Sequence, residues 1–257
     1  MIESKPKNPL KMVADPFSGD TFVLPETLCT EERRLWFRRT NEIIAFLMTT
    51  ELAIKESKLK YEQILSQKGL KPETPMKIES SDGRSLVCPA QTLIKQFSQG
   101  VDVLCRQVFI MLYGSMETFL FQLMEKSFPK IGITENIIDQ SLEIMMRRKW
   151  DSKFCKMSDV FGLGYKAGDF NNHFLDFEMN FEGKVFKNPL TFLDELAQIR
   201  HKIVHASSIM EKGRLIFINA KVFHAYFAFS AHLTEYIDSL FATKFQFKRD
   251  RINPAEA

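Results

Sequence analysis

Two long stretches with apolar side chains at helical spacing most constrain what this chain can fold into. The first runs from Thr30, a residue type that commonly caps helix N-termini, to about Gln67, and Gly69 follows it. In the second, from about Ala90 to Lys126, apolar residues recur three and four positions apart. Each stretch is long enough for roughly ten helical turns. We therefore predict two long α-helices.

The second half of the chain carries several further helix-start signals. Asn188 followed by Pro189 is a clear one, because asparagine caps helices and proline suits the first helical position. Asn219 is a similar cap before a segment with a broad apolar face, which predicts the last helix. The other helices are predicted over about 134–149, over 151–161 with Asp151 and Ser152 at its start, and over about 189–205.

These patterns predict an all-α fold, a helical bundle with an additional long N-terminal helix. Asp82 and Gly83 lie between short alternating segments and add a small β-hairpin across Met76–Cys88. We divide the chain into residues 1–89 and 90–257. The first part holds a proline-rich arm, the long helix and a linker. The second is the main helical domain, with an insertion at about 130–188.

Composition limits the function classes only broadly. The net charge of +3 permits contact with nucleic acid but is too small to indicate binding through charge alone. The four cysteines are scattered, without metal-ligand spacing, and predict free thiols in a reducing compartment. No signal-peptide pattern and no apolar run of about 20 residues is visible, so we expect a cytoplasmic protein without membrane contact.

Familiar nucleotide and hydrolase motifs are missing from the sequence. There is no phosphate-binding Walker loop, no dinucleotide glycine fingerprint and no serine-hydrolase elbow. No set of ligands for a catalytic metal is visible either. We therefore predict no metal and no cofactor.

The most informative segment is the helix that follows Pro189. Its apolar stripe must face the core and places Arg200 at the edge of the buried face. His205 follows five residues later, which on a regular helix turns it about 140° away from Arg200. Either the helix ends or distorts near His205, or a second subunit completes a site. The stripe consists of Phe192, Leu196, Ile199 and Ile203.

The segment from Arg200 through His201 to His205 resembles the R-polar-x-x-x-H signature of HEPN domains, a family of RNA-cutting helical domains. Upstream, Gly114–Leu120 resembles a small-x-x-Glu-aromatic pattern of that family and makes Glu117 a supporting residue. The resemblance covers about residues 90–245 and implies a HEPN-type bundle of four or five helices. It also implies RNA cleavage without a metal, at the interface of a homodimer.

In this interpretation His205 takes the proton of a ribose 2′-hydroxyl as that oxygen attacks the phosphate. Arg200 stabilises the negative charge of the transition state. His201 fills the polar position of the signature, where it either orients the phosphate or protonates the leaving 5′-oxygen. The products are a 2′,3′-cyclic phosphate and a 5′-hydroxyl. The resemblance further suggests a role in toxin-type growth arrest, antiviral defence or RNA processing, with an antitoxin or regulatory protein as a further partner.

A simpler interpretation remains open. Arg200 can be a solvated or ion-paired surface residue and His205 a residue favoured at a helix C-terminus. The chain would then be a non-enzymatic HEPN-like module that binds a protein or a nucleotide.

Two basic and aromatic clusters are candidates for RNA contact. The first consists of Arg147, Arg148, Lys149 and Trp150, which combine cations with a stacking ring but also fit an ordinary helix C-terminus. The second is the tail Lys244–Arg251, whose phenylalanines can instead dock to the core. Lys202, next to the signature histidine, is a further candidate RNA contact.

Overall fold

The computed structural model is mainly helical, which confirms the predicted all-α class but not the HEPN type. It describes residues 27–79, 81–133, 149–166, 169, 178–181, 184–204, 210–211, 214–215 and 220–252. The helices among these residues are α1 (Glu31–Gln67), α2 (Ala90–Ser127), α3 (Trp150–Phe161), α4 (Pro189–Val204) and α5 (Ala220–Phe245), and a 3-10 turn (Phe128–Ile131) follows α2.

Short antiparallel strand pairs connect or flank the helices. The hairpin predicted around Asp82 and Gly83 is confirmed, and the positive φ of 82° at Gly83 is a backbone conformation that favours glycine. The other three pairs were not predicted. The strands are β1 (Thr27–Cys29) with β8 (Asp250–Ile252), β2 (Pro75–Glu79) with β3 (Ser85–Pro89), β4 (Met179–Phe181) with β5 (Lys184–Phe186), and β6 (Met210–Glu211) with β7 (Arg214–Leu215).

The chain forms two compact units. Unit 1 comprises Met1–Asn41 and Ile110–Ala257, and unit 2 comprises Glu42–Phe109. Helices α1 and α2 each contribute residues to both units. The division of the chain at residue 89 stays a prediction.

Unit 2 contains the hairpin and the parts of α1 and α2 next to it. Tyr61 of α1 stacks on Phe97 of α2 with 5.5 Å between ring centroids. The solvent side of α1 carries the exposed apolar residues Leu52 and Leu59 beside charged ones, as its weak amphipathic pattern indicates. Ion pairs between Glu51 and Lys55 support this face of the helix.

Aromatic rings from the five described helices pack together in unit 1. Trp36 of α1 lies 6.5 Å from Phe119 of α2, measured between ring centroids, and both are buried. Phe161 at the end of α3 packs at 5.3 Å against Phe241 of α5. Phe192 of α4 contacts Phe229 of α5 at 6.3 Å. The aromatic residues therefore hold the helices of this unit together.

Helix starts agree with the sequence except at α3. Thr30 caps α1 as predicted, because its Oγ1 accepts a hydrogen bond from the backbone N–H of Arg33. Helix α3 begins at Trp150, one residue before the predicted start at Asp151. The prediction was wrong because a carboxylate from a distant helix accepts the first N–H of α3, as described below. The predicted arm before residue 27, most of the helix predicted over 134–149, and Asn219 lie outside the described residues.

A clasp of polar groups joins the two strands β1 and β8 to helix α5. Thr30 donates its backbone N–H (3.2 Å) and its hydroxyl to the carboxylate of Asp238, which is fully buried. Arg249 lies beside the same carboxylate, with 3.3 Å between Nε and Oδ2. Burial raises the pKa of Asp238, while the hydrogen bonds from Thr30 and the nearby guanidinium groups act in the opposite direction. The clasp therefore compensates a buried charge with several partners.

No helix in the described part of the chain is both long and apolar enough to span a membrane.

Arg249→Met should lower the free energy of unfolding by about 1–3 kcal/mol, because Asp238 would keep its buried charge without this cation. Arg251→Met is the matched control, since Arg251 is an exposed arginine two residues further along the chain and should change stability by less than about 0.5 kcal/mol. Urea denaturation followed by circular dichroism measures both. Equal effects of the two substitutions would contradict the clasp.

Candidate active site

The N-terminal cap and the buried stripe of α4 place Arg200. Asn188 caps the helix as predicted, since its Oδ1 accepts the backbone N–H groups of Leu190 (2.9 Å) and Thr191 (3.3 Å). Pro189 occupies the first helical position. The predicted stripe is buried throughout, and the Arg200 side chain is 39% exposed at its edge. The prediction that Arg200 lies at the border of the core is confirmed.

Arg200 contacts two residues of α2. Its Nη2 lies 3.6 Å from Oε2 of Glu117, which is the supporting residue that the sequence suggested. Its guanidinium carbon lies 5.9 Å from the ring centroid of Tyr113, within cation-π distance. Tyr113 and Glu117 are four residues apart and so occupy one face of α2. The buried Nε of Arg200 has no hydrogen-bond partner among the described residues.

Trp150 connects this pair to α3. Its indole N–H donates a 2.9 Å hydrogen bond to the hydroxyl of Tyr113. Its backbone N–H donates another 2.9 Å hydrogen bond to Oδ1 of Asp194 on α4. Asp194 thereby satisfies the first N–H of α3, although it lies 44 positions away in the sequence. One residue thus fixes the start of α3 against both α2 and α4.

Lys153 lies one turn further along α3 and is only 6% exposed. Its Nζ lies 4.1 Å from the ring centroid of Trp150. The ammonium also interacts favourably with the carboxylates of Glu117 and Asp194 and unfavourably with Arg200. The site therefore contains two cations and two carboxylates on three helices.

Burial dominates the electrostatics of the site. It raises the pKa of Glu117, and Arg200 and Lys153 partly offset this effect by stabilising the carboxylate. It lowers the pKa of Lys153, and Glu117 and Asp194 partly offset that shift. Burial also raises the pKa of Tyr113 far above its usual range, which keeps its hydroxyl protonated. Burial therefore disfavours the charged forms of Glu117 and Lys153, and groups of opposite charge reduce this effect.

The other residues of the predicted signature are partly described. His201 is exposed on the last turn of α4, and Lys202 follows it with part of its side chain buried. His205, the proposed base, lies outside the described residues, as do Arg147 and Arg148. The meeting of Arg200 with His205 stays a prediction.

Lys149 and Trp150 differ in how accessible they are to a ligand. Lys149 is exposed and precedes the first residue of α3. Trp150 is 1% exposed, and its ring packs against Phe154 at 5.7 Å and against Tyr113 at 6.3 Å. Stacking of an RNA base on Trp150 would require this packing to open. In this structure its ring is part of the core.

The aromatic residues of the basic tail also have structural contacts. Phe247 stacks on Phe245 at 5.7 Å, and Nζ of Lys126 lies 4.7 Å from the Phe247 ring centroid. Arg249 belongs to the clasp with Asp238. The structure therefore supports the alternative in which these phenylalanines pack within the protein.

Sequence reasoning missed Lys153 and Asp194. The only sequence signal for Lys153 is its place one helical turn after Trp150 and directly before Phe154, inside an otherwise apolar face. Asp194 gives no signal of its own, because its role depends on a backbone group far away in the chain. Within the described residues, no group of three or more potential metal ligands is brought together.

Comparisons of the chain with protein-family models, with curated proteins and with solved structures gave no match.

Asp194→Ala should lower the free energy of unfolding by about 1 kcal/mol or slightly more, because α3 loses the acceptor for its first N–H. Asp194→Asn is the matched variant, since it keeps an acceptor oxygen and removes only the charge. We expect a smaller loss for it in chemical denaturation. A loss for asparagine as large as that for alanine would show that the charge, not the cap, is what stabilises the fold.

Proposed function

We propose that this chain is a metal-independent endoribonuclease of the HEPN type. The observation that supports the proposal best is the contact between Arg200 and Glu117. The family resemblance selected these two residues from separate parts of the sequence, and they lie within ion-pair distance on α4 and α2. Neither the signature around Arg200 nor the pattern around Glu117 implies by itself that the two residues are in contact.

The chemistry proposed is cleavage by the neighbouring ribose 2′-hydroxyl. His205 removes the proton of this hydroxyl, since a histidine changes its protonation near neutral pH. As the 2′-oxygen bonds to phosphorus, the bond from phosphorus to the 5′-oxygen breaks, and this oxygen takes a proton from His201 or from water. Arg200 donates hydrogen bonds to the phosphate oxygens as negative charge develops on them. Glu117 and the Tyr113 ring support the arginine from the core side, and its exposed fraction is the part available to RNA.

The site is completed in a homodimer in this proposal. On a regular helix Arg200 and His205 point about 140° apart, so one copy of α4 does not direct both at a single phosphate. Two copies related by a twofold axis provide an arginine from one chain near a histidine from the other. Growth arrest, antiviral defence and RNA processing are the roles that fit such an activity, with an antitoxin or regulatory protein as a further partner.

The alternative function is a non-enzymatic helical module that binds a protein or a nucleotide. The same contacts of Arg200 favour it in one respect, since Glu117 and Tyr113 give the arginine a structural role without any substrate. The two functions differ in what His205 does. Only the nuclease requires a histidine there.

His205→Ala should slow the cleavage of single-stranded or tRNA-like RNA by about 10²–10⁴-fold, because the general base is lost. Arg200→Ala should reduce cleavage by about 10²-fold or more through loss of charge stabilisation. The assay follows labelled RNA in EDTA and identifies the ends, which should be 2′,3′-cyclic phosphate and 5′-hydroxyl.

Gln198→Ala is the control for these variants, since Gln198 is exposed on the same helix. This variant should cleave RNA at the wild-type rate. Circular dichroism confirms that each variant keeps its helices. Undiminished cleavage by the His205 variant would refute the assignment.

Sedimentation velocity should show a dimer at the concentrations at which RNA is cleaved, because the proposed site needs two chains. The rate per chain should fall on dilution as the dimer dissociates. A monomer whose rate per chain is independent of concentration would contradict the shared site. A monomer without nuclease activity would favour the binding module.

A further inference from the structure

Trp150 is connected to Arg200 through the phenol ring of Tyr113. The indole N–H of Trp150 donates a 2.9 Å hydrogen bond to the Tyr113 hydroxyl. The guanidinium carbon of Arg200 lies 5.9 Å from the centroid of the same phenol ring. Because these three residues belong to α3, α2 and α4, the position of α3 influences, through α2, the cation of α4.

The Tyr113 ring is held by aromatic packing and by this hydrogen bond. Tyr226 of α5 stacks on it with 6.3 Å between centroids, and the Trp150 ring meets it edge-on at the same separation. Stacking alone lets a ring slide or turn in its plane, whereas a hydrogen bond is directional. Tyr113 and Trp150 are each 1% exposed, so little water competes for this bond. Trp150 therefore restrains the ring that contacts Arg200.

Trp150 is also bonded to the helix that contains Arg200. Its backbone N–H donates a 2.9 Å hydrogen bond to Oδ1 of Asp194, which lies in α4 six positions before Arg200. Trp150 thus joins α4 to the Tyr113 ring of α2 and limits how far the guanidinium and the ring can separate. Phenylalanine would fill most of the same space in the core but has no N–H to donate. The indole N–H therefore does more than packing requires.

We propose that Trp150 is a positioning residue of RNA cleavage, which holds the Tyr113 ring against Arg200 and thereby fixes the guanidinium for the phosphate. The proposal rests on the nuclease function proposed above. Trp150 acts through Tyr113 and, with its ring in the core, touches no RNA. A cation-π contact favours one arrangement of the guanidinium over others. A small displacement of a group that stabilises the transition state slows a reaction strongly.

Trp150→Phe removes the indole N–H and keeps an aromatic ring in the core. We expect kcat for RNA cleavage to fall on the order of 10-fold while KM changes by less than about twofold, because Arg200 keeps its charge but is less well oriented in the transition state. Tyr113→Phe removes the acceptor of the same hydrogen bond and should have a similar effect. The double variant should be no slower than the slower single variant, since both substitutions delete one interaction. Additive losses in the double variant would contradict this coupling.

NMR spectroscopy measures the arrangement of these side chains without RNA. The chain has two tryptophans, so Trp150→Phe identifies the Trp150 indole signal, and Arg200→Lys identifies the Nε–H signal of Arg200. In Tyr113→Phe the indole proton of Trp150 should move upfield, because it loses its acceptor. In Trp150→Phe the Arg200 Nε–H signal should move or broaden, because the ring beside it is no longer held. Unchanged signals in these two variants would overturn the proposal.

Trp36→Phe is the matched control, because it makes the same substitution at a position that is also 1% exposed. The Trp36 indole N–H has no hydrogen-bond partner among the described residues, so no such bond is lost. This variant should keep the wild-type kcat and the wild-type Arg200 signal. An equal loss of kcat in Trp36→Phe would show a general effect of core packing and overturn the proposal. Tyr113→Phe, which changes the core volume little, decides the question if Trp150→Phe does not fold.

The two measurements separate this proposal from the proposed function. A shifted Arg200 signal with an unchanged kcat would overturn the role of Trp150 in cleavage and leave the proposed function standing. If the wild-type chain does not cleave RNA, the nuclease function fails, and the catalytic part of this proposal fails with it. The Arg200 signal then still decides whether Trp150 positions the arginine.

Discussion

The contacts of Trp150, which join α2, α3 and α4, set the positions of the polar groups in the candidate site. Trp150 is the centre of this packing, because its ring, its indole N–H and its backbone N–H each contact a different neighbour. A buried ring with both polar groups satisfied has one well-defined position. Glu117 and Arg200 therefore meet on rigid elements, which is the support that a reactive constellation needs.

The electrostatic character of the site follows from the same packing. Charges within a core interact more strongly than charges in water, and each is costly to leave unpaired. The structure balances two cations against two carboxylates, so the group as a whole brings little net charge to a ligand. Attraction of an RNA phosphate would depend on the part of Arg200 that reaches solvent and on the exposed cations nearby, among them Lys149.

Local signals were sufficient to predict the described helices and the caps of α1 and α4. Thr30, Asn188 and the Asp82-Gly83 turn act on backbone groups within three residues of themselves, so the sequence around each carries the information. The buried stripe of α4 followed from spacing in the same way. The spacing also placed Arg200 at the edge of this stripe, where the structure has it.

Nonlocal contacts account for what the sequence did not predict. The cap of α3 comes from Asp194, and the partner of strand β1 comes from near residue 250. Lys153 is buried beside the Trp150 ring of its own helix, which packs against Tyr113 of α2. The spacing of apolar residues along the chain does not predict such contacts. The resemblance suggested Glu117 and Arg200 as site residues but did not predict the contact between them, and the position of His205 stays a prediction.

The pairing of β1 with β8 joins two distant parts of the sequence next to the buried carboxylate of Asp238. Thr27 pairs with Ile252, so two strands that are far apart in the sequence lie side by side. Deleting either strand would remove residues that lie close to Asp238 and would let water reach its carboxylate, which is buried in the intact unit. Each of the two strands therefore depends on the other for its position. A probe attached to β1 and a probe attached to β8 would therefore report the separation of the two strands at the same time.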